Sequence, residues 1–124
     1  MADITRISTA KAQRVDYELR QGMTWEPGTI TCDIAGTPIN FTGYTASMEI
    51  RNRQSNTAAL TLATGGNGIT MSSAGVITIT ATAAQTLALE ATEYEYELIV
   101  TYPNAKVFTF IEGVITVVPK KTQV

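Results

Sequence analysis

Few side chains in this sequence have the chemistry of an active site. Histidine is absent from all 124 residues, which removes the Ser-His-Asp arrangement, the common zinc ligand sets and the usual general base near neutral pH. The one cysteine, Cys32, has no histidine to activate it and no second thiol for an internal disulfide. It falls in the pattern Ile30, Cys32, Ile34, so it reads as a small buried apolar residue. Glu93, Glu95 and Glu97 are the remaining candidates. On one face of a strand they would stand about 7 Å apart, a spacing that suits a hard cation or the carboxylate pair of a glycosidase. It equally suits a solvated strand face with lysine or arginine partners across the sheet, and that reading is adopted. The turn Gly65-Gly66-Asn67-Gly68 has no Lys-Ser or Lys-Thr after it and no strand-to-helix context, so it reads as a β turn and not as a phosphate cradle. The chain is therefore expected to be noncatalytic, with no metal site and no cofactor.

The elements that carry these residues follow from period-2 patterning. Tyr94, Tyr96, Leu98, Val100 and Tyr102 share one parity and the three glutamates the other, as in a strand with one buried face. Pro103-Asn104-Ala105-Lys106 supplies turn chemistry, and Val107 to Ile111 returns as a second strand. Gly113 interrupts the apolar run that resumes over Val114 to Val118, which predicts a β-bulge there or a bend between sheets. Further strands are expected over 13–20, 29–34, 44–51, 58–64, 69–71 and 76–81. Their recurrence every eight to twelve residues predicts a sandwich or barrel. Thr82-Ala83-Ala84-Gln85 matches a capping box and predicts a helix of about two turns over 83–91, with Leu87 facing the core.

The bulk composition bounds the rest. A chain of 13.3 kDa is one domain by length and buries roughly two-thirds of its unfolded surface. No apolar run approaches the roughly 20 residues of a membrane span, and the opening MADITRISTAK lacks the apolar core of a signal peptide. No membrane partner is expected. Nine basic and eleven acidic residues are scattered, net charge −2, with no basic cluster longer than Lys120-Lys121, which argues against nucleic acid. Trp25, the only tryptophan, reads either as an interface anchor or as a plug for one end of the β core. Ile4 and Ile7 in the opening residues have no clear period and suit docking, either onto a neighbouring subunit or onto their own domain.

Three features carry a resemblance to a known family. They are Gly22-x-Thr24-Trp25 after the opening strand, Ile39-Asn40-Phe41-Thr42-Gly43-Tyr44-Thr45-Ala46 leading into Ile50-Arg51, and Gly68-Ile69-Thr70 through Ala84-Gln85-Thr86 before the Tyr94-to-Gly113 hairpin. In these the chain resembles the small immunoglobulin-like β-sandwich domains of tailed-phage structural proteins, and is similar to the N-terminal domain of phage baseplate upper proteins. Two departures stand out. Glu90-Ala91-Thr92 occupies the place where relatives usually carry Pro-Ala-Gly or similar, and baseplate upper proteins continue into a long fibre-forming region where this sequence stops at Val124.

The resemblance implies an all-β, antiparallel immunoglobulin-like β-sandwich of about 7–9 strands with one short helix before the C-terminal hairpin. It divides the chain into an N-terminal arm (1–12), a sandwich (13–119) and a C-terminal tail (120–124). It further implies a noncatalytic virion protein made in the host cytoplasm, an adaptor or decoration subunit of the tail, baseplate, neck or capsid. The partners expected are other virion proteins and further copies of the chain in a homo-oligomer or symmetric array. Contacts are expected at Ile4, Arg6, Ile7, Trp25, Lys120 and Lys121. The alternative is a carbohydrate-binding sandwich that contacts host glycans, which exposed aromatic residues on one face would favour. A cation-dependent hydrolase built on the glutamates is the third reading.

Overall fold

The computed structural model describes residues 13–34 and 36–120. In chain order it contains strands β1 (Gln13–Arg14), β2 (Tyr17–Arg20), β3 (Thr29–Thr31), β4 (Asp33–Ile34), β5 (Thr37–Pro38), β6 (Thr45–Asn52), β7 (Ala58–Ala63), β8 (Ile69–Met71) and β9 (Val76–Ile79). A helix α1 (Ala83–Leu87) and the long strands β10 (Glu93–Thr101) and β11 (Val107–Val118) complete it. The larger sheet has the order β1-β11-β10-β6-β7, with β2 also on β11; a smaller one runs β3-β9-β8, and β4 pairs with β5. All-β architecture is thus as expected.

The two sheets are held by one apolar core. Alternation buries Met48 and Ile50 of β6, and Tyr94, Tyr96, Leu98 and Val100 of β10. They join Ile30, Ile69, Ile77 and Ile79 of the smaller sheet in a single cluster. Complete burial of side chains of this size contributes about 1.5–3 kcal/mol each, which is why parity and not propensity decides which face turns inward. Cys32 is fully buried in the same cluster, as its spacing predicts; the side chain of Ile34 lies outside the described residues.

Three expectations are corrected. The expected strand over 13–20 is broken at Val15 and Asp16, and both halves run parallel to β11, so the larger sheet is mixed and not purely antiparallel. The break has a cause: Asp16 Oδ1 accepts a hydrogen bond from Val114 N–H at 2.9 Å, and the Val15 carbonyl accepts from Tyr96 Oη at 2.6 Å. Gly113 is not the bulge. It pairs in register with Tyr96, and the slip falls between Leu98 and Ile99, whose partners are Ile111 and Thr109. Phe110 is the extra residue, so Phe110 and Ile111 both point inward and both are fully buried. Gly113 is needed for another reason: a Cβ there would overlap the Val15 carbonyl oxygen and come within 2.8 Å of Asp16 Oδ1.

The helix is also shorter than expected. Its capping box is present, with Thr82 Oγ1 accepting from Gln85 N–H and Gln85 Oε1 accepting from Thr82 N–H. The helix ends at Leu87, which is 53% exposed. Thr86 takes the inward position, its hydroxyl donating to Met23 O at 2.8 Å, and Leu89 beyond the helix is the apolar residue that is buried. With Thr86 inward, Leu87 one position on is turned about 100° round the helix and faces out. Just after it, Tyr94 Oη accepts from Glu90 N–H and donates to Glu90 O. This ties the entry of β10 to the backbone four residues upstream, in the manner of a tyrosine corner.

Candidate functional site

The three glutamates do lie on the outer face of β10, where they are exposed. Register places Glu97 directly between Glu49 of β6 and Glu112 of β11, a cross-strand row of three carboxylates that parity alone did not reveal. Cations temper the face. Arg51 pairs with Glu49 at 2.6 Å, and Arg53 pairs with Glu93 at 3.0 Å and reaches Glu95 at 4.0 Å. Thr109 Oγ1 donates to Glu97 Oε2 at 2.9 Å. All these side chains are roughly half exposed, so each pair contributes little to stability. A depression of about 320 Å³ on this face is lined by Glu49, Arg51, Thr61, Glu95, Glu97 and Glu112. Among the described residues no three Asp, Glu, Cys or His side chains are placed to hold a metal ion.

A second depression, about 600 Å³, lies at the other edge of the larger sheet. One wall is the 16–20 stretch containing β2 and the other is the 23–27 segment. Trp25 is buried at 6% exposure and meets Tyr17 edge to face, with ring centroids 5.5 Å apart. Its N–H and C=O both bond to Ala81 at 2.9 Å, just past β9. It therefore spans the two sheets, as the plug reading predicts, and it lines the groove.

A third feature is aromatic. Tyr44, Tyr102 and Phe108 are half-buried and in ring contact in turn, Tyr44 tilted against Tyr102 at 4.7 Å and Tyr102 edge to face with Phe108 at 5.1 Å. Val107 beside them is 57% exposed. Burial raises the Tyr102 hydroxyl pKa above its ordinary value, and that hydroxyl has no hydrogen-bond partner among the described residues. Tyr94 and Tyr96 are buried in the core cluster, as their parity predicts. Burial and the neighbouring Asp33 push the Cys32 thiol up to about 12, far from the range of a reactive thiolate.

Of the residues expected at an interface, Trp25 lines the groove, while Lys120 is half-buried with its N–H 3.4 Å from Gln21 Oε1. Ile4, Arg6, Ile7 and Lys121 lie outside the described residues. The structure thus brings none of the described pair together, and sequence reasoning missed the groove because its walls come from segments separated by a turn at 21–22.

The fold is similar to that of the N-terminal domain of phage TP901-1 ORF48, with a TM-score of 0.55 at 12% identity, covering 95% of this chain and 99% of that one. At that identity the likeness concerns the fold. No family model matches the chain, and no curated protein sequence matches it.

Proposed function

We infer that the chain is a noncatalytic structural subunit of a phage virion, acting through contacts with other virion proteins and with copies of itself. The carrying observation is the likeness to a phage protein domain over nearly the full length of both chains, which makes this chain comparable to that entire domain. The sandwich is read as immunoglobulin-like; the tyrosine corner at Tyr94 and Glu90 and the two-sheet core support that reading. Its place is in the tail, baseplate, neck or on the capsid, and its mechanism is burial of apolar surface together with strand addition at an open sheet edge. Mixing the purified protein with phage particles or subcomplexes that lack it, followed by light scattering and electron microscopy, tests this. Co-assembly at fixed stoichiometry is expected, and a protein that ignores every such particle would sink the reading.

The half-buried aromatic cluster at Tyr44, Tyr102 and Phe108 supports a second reading, a module that contacts host-surface glycans by stacking sugars on aromatic faces. Saturable glycan binding lost on Tyr102→Ala would favour it.

A further inference from the structure

We propose that the groove beside β2 receives residues 1–12 of a second copy of this chain as an added β-strand. Among the described residues, β2 is hydrogen-bonded to a strand on one side only. Val15 and Gln21 donate their N–H groups to Glu112 and Val118 of β11. By the alternation of a parallel ladder, the peptide groups of Glu18 and the N–H of Arg20 then point away from β11, into the groove. The opposite edge of the sheet is less open. β7 carries a register slip between its pairs to Ile50 and Arg51, and Ala63 N–H is already bonded to Asn67 O at 2.8 Å.

Charge and length select the occupant. Asp16 on the groove is paired with Arg14 at 3.2 Å, and Arg20 Nη1 donates to Pro119 O at 3.2 Å. Glu18 and Glu26 line the same groove and have no ion-pair partner among the described residues. Residues 1–12 carry Arg6 and Lys11 against Asp3, opposite in sign to the groove. Ile4 and Ile7 fall on opposite parities, so either register of an added strand presents a β-branched side chain to Tyr17 and Trp25. Twelve extended residues span about 40 Å, enough to reach a neighbour.

Topology selects the source. β1 and β2 run in the same direction along the same edge of β11, β1 opposite 111–112 and β2 opposite 115–118. A chain entering at Gln13 therefore arrives from the end of β11 that begins at Val107, away from its own groove. To fold back it would have to reverse over Ser8-Thr9-Ala10-Lys11-Ala12, where Ser8 and Thr9 offer only the weaker hydroxyl turns and there is no Gly, Pro, Asn or Asp. Exchange of this kind is head-to-tail and builds rings or open arrays.

The inference deepens the assembling-subunit reading, but its test uses the protein alone, so its failure leaves the co-assembly test standing. Light scattering of the full chain should give a mass above 13.3 kDa that rises with concentration, and a variant lacking residues 2–11 should be monomeric. A synthetic peptide of residues 1–12 should then bind that variant and shift Trp25 fluorescence. Glu18→Lys with Glu26→Lys in the full chain, where the arm is intact, should also give a monomer, with the circular dichroism spectrum unchanged and peptide binding on the order of tenfold weaker or worse. A full chain that stays monomeric, a truncated variant that keeps the larger mass, or a peptide that leaves Trp25 emission unchanged would each overturn the proposal.

Discussion

Tyr96 shows what one buried polar tip does in this fold. Its hydroxyl donates to the Val15 carbonyl at the break between β1 and β2, and burial, followed by Tyr17 and Asp16, raises its pKa well above the ordinary 10.0. Burial likewise raises Tyr17, Tyr94 and Tyr102, and the Cys32 thiol rises from 9.0 to about 12. In each case the folded state holds its proton where the unfolded chain releases it. Their contribution is therefore complete below the unfolded values and is lost progressively above them, from 9.0 toward about 12 for the thiol and from 10.0 upward for the tyrosines. Urea midpoints should fall above pH 9, and Cys32→Ala should remove the part of that loss between pH 9 and 10. Tyr96→Phe should cost about 1–3 kcal/mol at neutral pH, because the Val15 carbonyl loses its donor, and should flatten the alkaline limb. A midpoint that ignores pH up to 11 would contradict both. The inward position of Cys32 and the tyrosines was legible in the sequence from parity. The partner of the Tyr96 hydroxyl was not, because it lies 81 residues away.

Strands β6 and β10 were readable almost to the residue because Ala46, Met48, Ile50, Tyr94, Tyr96, Leu98 and Val100 alternate with Glu49, Arg51, Glu93, Glu95 and Glu97, so a one-residue slip would bury charge. Register between strands is a different matter, and two features depend on it. The first is the row Glu49, Glu97, Glu112, since like charges directly opposite one another destabilise a sheet. Glu97→Gln should raise stability by about 0.2–1 kcal/mol at low salt while keeping an acceptor for Thr109, and the gain should shrink in 0.5 M salt as screening removes the repulsion. No gain at low salt would mean that the neighbouring arginines already neutralise the row. The second is Gly113. The sequence marked it as a β-bulge or a bend between sheets but could not place the slip opposite Leu98 and Ile99, because a glycine admitted for close approach of another backbone looks the same in one dimension as a glycine in a bulge. Gly113→Ala should lower stability by about 1–3 kcal/mol, with the Val15–Asp16 junction the first place to lose amide protection. An alanine tolerated without cost would mean that the junction can shift away.

At the scale of the whole molecule, the feature no local pattern could announce is that the two ends of the domain meet. β1 and β2 lie parallel against β11, and Asp16 bonds to Val114 across 98 residues. Strand alternation identified the pieces and their spacing suggested a sandwich, but a parallel pairing between the first and last strands leaves no short turn between them to be seen in the sequence. The arrangement has a kinetic consequence. Loop-closure entropy must be overcome before this pairing returns any stabilisation, so folding should take milliseconds to seconds, as in other domains dominated by distant contacts. Both sheets contribute to one core, and Trp25 touches Tyr17 of the larger sheet while its backbone bonds to Ala81 beside the smaller. Its fluorescence should therefore report the same single transition as far-UV circular dichroism, in equilibrium unfolding and in refolding alike. Ending the chain after Gly113 removes buried Ile115 and Val117 and the partner of β2, and should abolish the native signal of Trp25 at the far end of the sequence. A truncated chain that keeps that signal, or two probes that report separate transitions, would mean that the smaller sheet folds without the closing strands.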